Sequence, residues 1–228
     1  ACMRYIPKLA EKDHIDVIHS HTAHMPDLLL MFRRLNVPIV TTVHTTIKYQ
    51  YLGIKASRTS FAELELSEKL TCSLYPLLRL AEETYFRYRK RLYITPTNWM
   101  RKWLKKTYQI NKPIKVIPSS IDTESIQNLR KNNVVLERLI PLDLRNRRIV
   151  LYVGRLLALK GVGILIEAIP KILKRIGKEE ILFVLAGPGN RIPYLKKLKQ
   201  MGIESSCLFT GPLCRDEVLQ LMMIAEVT

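Results

Sequence analysis

Two cations between two glycines make residues 154–161 the part of the chain best suited to hold an anion. The segment reads Gly-Arg-Leu-Leu-Ala-Leu-Lys-Gly and follows an apolar run at 149–153 that is typical of a strand. Arg155 can donate two parallel hydrogen bonds to phosphate oxygens, and Lys160 adds a point charge. A helix predicted over 162–176 would bring a positively polarised N-terminus to the same place. These residue types predict a diphosphate site, with exposed surface cations as the alternative.

Glycine also ends each of three successive predicted strands, at Gly154, Gly187 and Gly211. In open parallel α/β sheets, ligands bind beyond the carboxyl ends of the strands. A residue without a side chain lets the backbone approach a ligand closely there. An ordinary strand-to-helix turn would explain any one of these glycines, but three at matching positions favour a binding site.

The elements that would position these residues alternate between short apolar runs and longer amphipathic segments. The runs predict strands and the segments predict helices, which implies parallel sheets built from right-handed β-α-β units. The predicted strands are 15–19, 38–43, 93–95, 114–117, 149–154, 181–187 and 208–211, and the predicted helices are 26–34, 98–108, 162–176, 194–201 and 216–224.

Between these elements, a capping box of Ser60 and Glu63 predicts the start of a long helix, which Pro76 would kink or split. Apolar residues at a spacing of three to four give this helix one apolar face. We interpret that face as packing on the core, with attachment to a membrane surface as the alternative because residues 87–91 are basic. Residues 129–148 are polar, irregular and basic. We therefore place a domain boundary there and predict domains at 1–146 and 147–228.

Composition narrows the classes of function. The 228 residues include 37 Lys and Arg against 20 Asp and Glu, a formal net charge of +17. This excess predicts an anionic partner, such as nucleotide phosphates or an anionic membrane surface, or a solvated basic surface. No nucleic-acid-binding signature is present, so no nucleic acid is expected as a partner. The absence of a signal peptide and of an apolar run of about 20 residues predicts a cytoplasmic protein, with peripheral attachment to the membrane as an option.

Metal ligands at useful spacings are missing from the sequence. The four cysteines form no Cys-x-x-Cys pair, and there is no Asp-x-Asp pair to hold a metal-bound diphosphate. All five histidines lie in the first 44 residues, and His19 and His21 sit at a predicted strand end without a carboxylate at fixed spacing. We interpret His19 as a hydrogen-bonded core histidine, with a role in shaping a binding cleft as the alternative. No metal and no cofactor are predicted.

Several of these segments together resemble one family. Tyr-Val-Gly-Arg-Leu at 152–156, followed by Lys-Gly-Val at 160–162 and Leu-Ile-Glu-Ala at 165–168, resembles the start of the donor lobe of family 4 glycosyltransferases. Leu-Ala-Gly-Pro-Gly at 185–189 and Leu-Phe-Thr-Gly at 208–211, with Glu217 after it, are similar to the family's next segments.

The first half resembles the acceptor lobe of the same family. The matching segments are Asp-Val-Ile-His-Ser-His at 16–21, Pro-Ile-Val-Thr-Thr-Val-His at 38–44, and the stretch from 115 to 122 that begins Lys-Val-Ile-Pro. Ser119 and Ser120 depart from the Asn-Gly that usually follows Ile-Pro in the family. Each motif is weak by itself, but their order and spacing cover nearly the whole chain.

The resemblance implies the GT-B fold, an α/β fold of two Rossmann-like lobes with parallel sheets, both incomplete here. Residues 1–146 would be an acceptor-side lobe without its first strands plus a hinge, and 147–228 a donor nucleotide-binding lobe without its last part. It implies a retaining glycosyltransferase of hexosyltransferase type, using a nucleotide-sugar and a glycan or lipid-linked acceptor. The isolated chain is expected to be weakly active or inactive. Alternatives are a nucleotide-sugar epimerase on the same fold and a non-catalytic anion-binding module.

The resemblance also assigns site residues. His44 would be catalytic, lying in the cleft between the lobes near the transferred sugar. The residues expected to hold the donor, with Arg155 and Lys160 on its diphosphate, are Gly154, Arg155, Lys160, Gly187, Pro188, Gly189, Gly211 and Leu213.

Overall fold

A computed structural model of the chain describes residues 5–6, 8–9, 12–21, 37–87, 91–127 and 134–228. The helix predicted over 26–34 lies outside these residues. The chain forms two compact units, the first from Ala1–Leu52 and Leu70–Ile121, the second from Gly53–Lys69 and Asp122–Thr228. The second unit therefore includes a short segment from the first half of the chain. The domain boundary between residues 146 and 147 stays a prediction.

A parallel sheet of four strands lies at the centre of the first unit. Its strands, in spatial order, are β1 (Ile18–His21), β2 (Ile39–Thr42), β3 (Arg91–Thr95) and β4 (Ile114–Val116). All three pairings are parallel, as predicted. The helices between residues 47 and 108 are α1 (Ile47–Ala56), α2 (Leu66–Ser73), α3 (Tyr75–Arg87) and α4 (Asn98–Tyr108), and the end of α1 and the start of α2 belong to the second unit.

The predicted bounds of α4 are confirmed, and local signals explain them. The Thr97 side chain accepts the N–H of Met100, which caps the first turn, and Gln109 ends the helix in the left-handed conformation. Met100, Leu104 and Tyr108, each four residues apart, are buried in the core of the unit. Capping and periodicity agree here, so the sequence alone defines the helix.

The prediction of a long helix that starts at Ser60 is wrong. Residues Phe61–Glu63 form only a 3-10 turn, and the Ser60 side chain makes no capping hydrogen bond. The backbone is extended at the buried Leu64, and the next helix, α2, starts at Leu66. There the Glu68 side chain accepts the N–H of Glu65, so a capping contact forms five residues later than predicted.

Pro76 does split the helical segment, because α2 ends at Ser73 and α3 begins at Tyr75. The interpretation of the apolar face as core-facing holds for Tyr85, which is buried, and fails for the middle of the segment. Leucines at a spacing of three or four there are between 45 and 63% exposed, namely Leu70, Leu74, Leu77 and Leu80. Helix α1 was not predicted.

A parallel sheet of three strands forms the centre of the second unit, in the order β5 (Arg148–Val153), β6 (Ile181–Ala186), β7 (Cys207–Gly211). Its helices are α5 (Thr123–Gln127), α6 (Val134–Leu139), α7 (Val162–Ile176), α8 (Ile192–Gln200) and α9 (Arg215–Ile224). Residues 129–148, interpreted as irregular, thus contain α6, and the buried Ile140 packs in the core of this unit.

The packing of α7 on the sheet follows from its sequence. Val162, Ile166, Ile169 and Leu173 repeat at three to four residues and are buried against β6, all of whose residues are buried. Continuous burial is typical of a central strand in a parallel sheet covered on both faces. The predicted bounds of α7 are confirmed.

The sheet of the second unit also pairs at its other edge. Val227 forms a parallel bridge with Val150, and its carbonyl accepts the N–H of Leu151 at 2.8 Å. The chain therefore winds from β5 to β6 to β7 and then returns to the opposite side of β5. In doubly wound sheets, ligands bind at the carboxyl ends of the strands where the winding direction reverses. The end of β5, which leads into Gly154, is such a place.

A buried carboxylate fixes the start of α1 in the first unit. Glu82 accepts the backbone N–H groups of Ile47 and Lys48 at 2.6 and 3.2 Å and the hydroxyl of Tyr108. Burial raises the pKa of Glu82, while the three donors oppose that shift. Because helix α1 begins three residues after His44, this carboxylate also holds the backbone that follows His44.

Replacing Glu82 with Gln should therefore destabilise the protein. One of the two side-chain oxygens becomes an NH2 group that faces a buried donor, at a cost of about 1–3 kcal/mol. The matched control is Glu83→Gln, which removes an exposed ion pair with Arg79 and should cost less than about 1 kcal/mol. Urea unfolding of both variants measures the difference, and equal losses would contradict the role given to Glu82.

Candidate functional site

The loops that follow β5 and β6 touch backbone to backbone. Gly154 donates its N–H to Ala186 at 2.9 Å, and a Cβ placed on Gly187 would lie 2.0 Å from the carbonyl oxygen of Gly154. Gly187 has φ +145°, a conformation that favours glycine. Further along, Leu156 donates its N–H to Pro188 at 2.8 Å. The two strand ends thus form one platform built on Gly154 and Gly187, and the contact is possible because Gly187 has no side chain.

The third glycine completes this platform. Gly211, with φ +74°, is the last residue of β7 and accepts the N–H of Gly187 at 2.9 Å. The structure thus places Gly154, Gly187 and Gly211 at neighbouring strand ends, where the sequence predicted them.

A cavity of about 300 Å3 opens beside the platform. This volume is at the lower end of the range of small-molecule sites, about 300–1,000 Å3. Its walls are mainly backbone and apolar side chains, contributed by the loop after β6 and the end of β7. The predicted residues Gly187, Pro188, Gly189 and Gly211 line it, together with one cationic residue, Arg191, and with Leu156, Asn190, Ile192, Phe209 and Pro212.

Arg155 and Lys160 lie on the loop that packs against this platform, and both are exposed. The hydroxyl of Tyr152 donates to the carbonyl of Arg155 at 2.9 Å, and Lys160 ends the 3-10 turn Ala158–Lys160. Gly161, in the left-handed conformation, then leads directly into α7. Within the described residues, neither cationic side chain forms a hydrogen bond or an ion pair. Their charges are therefore available to an anion, and neither lines the cavity itself.

Leu213 is placed differently from the other predicted residues. It is partly buried and packs against the apolar cluster that contains Ile140 and Leu221. It does not line the cavity in the described part of the second unit. Its predicted contact with a ligand stays a prediction.

Two carboxylates at this site were not foreseen from the sequence. Glu68, which is 2% exposed, accepts the N–H of Leu159 at 2.9 Å, and Glu65 accepts the N–H of Asn190 at 2.7 Å. Together they join the loop of Arg155 and Lys160 to the rim of the cavity. They lie 91 and 125 positions from their partners, and no local sequence signal pairs residues over such distances. The spacing Glu-x-x-Glu suggests no more than a helix start.

The carboxylates also affect a neighbouring tyrosine. Burial, followed by the negative charges of Glu68, Glu65 and Glu63, raises the pKa of Tyr194 to about 12. Tyr194 therefore stays protonated at neutral pH and packs as part of the core beneath α7.

The first unit gathers histidines at the carboxyl ends of its strands. His21 Nδ1 lies 3.1 Å from His44 Nε2, and His19 Nε2 lies 2.8 Å from the hydroxyl of Thr42. His19 is hydrogen-bonded as expected, but it is exposed and does not lie in the core. Among the described residues, no group of three or more His, Cys, Asp or Glu side chains has metal-binding geometry. His24 lies outside the part of the chain that is described.

Two family models match the chain over most of its length. The model described as Glycosyltransferase Family 4 matches residues 1–125, and the model described as Glycosyl transferases group 1 matches residues 147–228.

Two curated relatives are uncharacterized glycosyltransferases of Methanocaldococcus jannaschii. One is 36% identical over 83 residues, which make up 36% of this chain and 20% of that protein. The other is 23% identical over 128 residues, or 56% of this chain and 31% of that protein. The matches thus span about a third of the relatives' length or less.

Solved structures are similar over almost the whole chain. WaaG, a glycosyltransferase involved in lipopolysaccharide biosynthesis, gives a TM-score of 0.64 at 17% identity, covering 97% of this chain and 54% of that one. Anabaena HepE in complex with UDP and glucose gives a TM-score of 0.61 at 18% sequence identity, and the match covers 96% of this chain and 53% of that one. The catalytic domain of Arabidopsis thaliana starch synthase IV, bound to ADP and acarbose, gives a TM-score of 0.57 at 17% sequence identity. The match covers 98% of this chain and 54% of that one.

At such identities the likeness concerns the fold, and it confirms the predicted GT-B class. The chain spans about half the length of these structures. In the residues that can be described, no helix is both long enough and apolar enough to cross a bilayer.

The contact between the two glycine loops leads to a prediction for Gly187→Ala. The new Cβ meets the Gly154 backbone, which cannot rotate away, so we expect a loss of about 2–5 kcal/mol in unfolding free energy. Gly202→Ala is the matched control, because Gly202 also has a positive φ, +62°, but open space around it. It should cost about 1–2 kcal/mol. Urea unfolding of both variants measures this, and a similar loss in the two would contradict the role of the contact.

Proposed function

Because the chain belongs to glycosyltransferase family 4 and has the GT-B fold, we propose that it transfers a sugar from a nucleotide-sugar donor to an acceptor hydroxyl. The observation that carries the proposal is the pair of exposed, unpartnered cations Arg155 and Lys160 within the described second unit. They lie on the loop that packs against the Gly187 platform. We infer that this pair holds the donor diphosphate and that the cavity of about 300 Å3 beside it holds the nucleoside.

In the proposed reaction, the bond between the anomeric carbon of the sugar and a diphosphate oxygen breaks. Its electron pair leaves with the nucleoside diphosphate, while the acceptor oxygen bonds to the anomeric carbon and gives up its proton to the leaving diphosphate. Negative charge grows on the leaving diphosphate in the transition state. Removing one fixed donor to such a charge typically lowers kcat by about 10²- to 10³-fold. Since Arg155 and Lys160 supply positive charge at this point, we expect no metal requirement.

We further propose that the transferred sugar is a hexose and that the product keeps the anomeric configuration of the donor. Both statements rest on the family resemblance. His44 would contact a hydroxyl of the sugar, to which an imidazole nitrogen can donate or from which it can accept. The anomeric coupling constant of the product in a proton NMR spectrum distinguishes retention from inversion, and an inverted product would overturn this part of the proposal.

The diphosphate role predicts that Arg155→Gln and Lys160→Gln each weaken nucleotide binding by about 10- to 100-fold, since a hydrogen bond to a charged group contributes about 1.5–3 kcal/mol. Titration calorimetry with UDP and ADP measures this, and these nucleotides come first because two structural neighbours were solved with them. The control is Arg175→Gln, an exposed cation in the last turn of α7, the helix that Lys160 precedes. Unchanged affinity in both site variants would overturn the assignment.

Two alternative functions predict different experimental results. An epimerase would convert a nucleotide-sugar without any acceptor, which product analysis detects. A non-catalytic anion-binding module would bind in a salt-dependent manner that survives Arg155→Ala. Transfer that requires an acceptor and is lost with Arg155 supports the glycosyltransferase proposal over both.

A second observation supports a membrane-linked acceptor. The exposed leucines Leu70, Leu74, Leu77 and Leu80 follow one face of the α2–α3 segment, and the exposed Arg87 ends it. Apolar helix faces with basic flanks bind the surface of anionic bilayers. With the formal charge of +17, this favours a cytoplasmic enzyme attached peripherally to the membrane, acting on a lipid-linked or envelope glycan.

The double variant Leu74→Gln/Leu77→Gln should reduce binding to vesicles containing phosphatidylglycerol by about 10-fold or more, because two apolar side chains no longer leave water. Leu142→Gln is the matched control, since Leu142 is also exposed but lies on a 3-10 turn of the second unit. Vesicle co-sedimentation measures both. An equal effect of the two variants, or no binding by the unaltered protein, would contradict membrane attachment through this face.

A further inference from the structure

Parallel pairing of β1 and β2 brings several polar side chains to one edge of the first sheet. The register places Ser20 beside Thr41 and His21 beside Thr42, and His44 follows two residues after the end of β2. The hydroxyls of Ser20 and Thr41 lie 2.7 Å apart, and Tyr85 donates to Thr41 at 2.9 Å. The edge is therefore anchored to the buried core of the unit on one side and carries histidines on the other.

His21 and His44 are joined through one ring nitrogen each. His21 Nδ1 and His44 Nε2 are 3.1 Å apart, and the ring planes are within 12° of parallel with centroids 5.4 Å apart. A hydrogen bond between two ring nitrogens needs one N–H and one lone pair, so a single proton lies between them. Whichever ring carries that proton, Nε2 of His44 is occupied. Only Nδ1 of His44 remains for a ligand.

The third histidine of the edge, His19, lies close to the ring of His21. The rings of His19 and His21 are 4.5 Å apart between centroids, and His19 Nε2 is hydrogen-bonded to the hydroxyl of Thr42. Thr42 is 8% exposed and belongs to β2, so its position is set by the sheet. The rings of His19 and His44 thus both lie near the ring of His21, and His19 is tied to the sheet.

We propose that His21 is a positioning residue for His44: it occupies Nε2 of His44 and so directs Nδ1 toward the sugar. The inference rests on the proposed role of His44 in contacting the sugar. An imidazole at a binding site presents a defined donor or acceptor only when its other nitrogen is held by a partner. His21 supplies that partner, and without it the His44 ring can rotate and exchange tautomers.

The test compares His21→Phe, which keeps a ring without nitrogens, with His21→Asn, whose amide lies where Nδ1 does. Nitrogen-15 NMR of histidine-labelled protein should show one defined His44 tautomer in the unaltered chain and a mixture in His21→Phe. His21→Phe should lower kcat by about 10- to 100-fold and change KM by less than about 3-fold. His21→Asn should restore most of kcat, and His14→Phe, at an exposed histidine before β1, is the control.

The outcomes separate this inference from the function on which it rests. Identical His44 nitrogen shifts in the unaltered protein and in His21→Phe would overturn the positioning role, whatever the activity. A His44→Ala variant that transfers sugar normally would overturn the proposed sugar contact and, with it, the catalytic meaning of the pair. A loss of kcat in His21→Phe that His21→Asn does not restore would also overturn it, because a general packing defect would then explain the loss.

Discussion

Backbone contact between Gly154 and Gly187 sets the geometry on which the second unit's site depends. Parallel strands end at the same edge, but side chains normally keep the following loops apart. Here the missing Cβ of Gly187 lets its loop rest on the Gly154 carbonyl, and Leu156 is tied to Pro188 by a backbone hydrogen bond. The loop of Arg155 and Lys160 is consequently fixed by the sheet itself, although both cationic side chains remain exposed. Preorganised charge of this kind needs no rearrangement when an anion arrives.

The carboxylates of Glu65 and Glu68 stabilise the loops beside that platform without forming ion pairs with Arg155 or Lys160 in the described residues. Backbone N–H groups in tight loops need acceptors, and the nearby carbonyls do not reach all of them. Glu68 and Glu65 accept from Leu159 and Asn190, so the donors of the loop are satisfied by acids that form no hydrogen bond or ion pair with Arg155 or Lys160 in the described residues. Glu68 is buried, and its Oε2 also accepts the N–H of Glu65. One short acidic segment therefore supports both loops.

How far the sequence predicts this molecule depends on whether the determining contacts are local. Helices α4 and α7 were predicted to the residue, because apolar spacing defines both, with the Thr97 cap at the start of α4 and glycines on both sides of α7. The helix expected from Ser60 was predicted wrongly. The extended backbone at Leu64 interrupts the helical segment, and Glu68 supplies the capping contact instead of Glu63. The exposure of Leu70 and Leu77 also escaped prediction, since periodicity shows that a face is apolar but not what covers it.

The same distinction applies to the two groups of candidate site residues. Glycine at three strand ends is visible in the sequence, because the order of strands and helices alone places those ends together. The hydrogen bond between His21 and His44 depends on the register of β1 against β2, which no local pattern specifies. For the same reason the sequence did not predict the role of Glu65 and Glu68. Their hydrogen bonds form only when loops that are distant in sequence have folded onto them.

The two units use the same architectural position for different chemistry. In the second unit, the strand ends offer glycine backbone, a helix N-terminus and cations, which suit the concentrated charge of a diphosphate. In the first unit, the strand ends present three imidazoles, which suit neutral hydroxyl groups that both donate and accept. The parallel architecture thus fixes where ligand-binding residues gather in each unit, and the residue types at the strand ends decide which chemistry that unit offers.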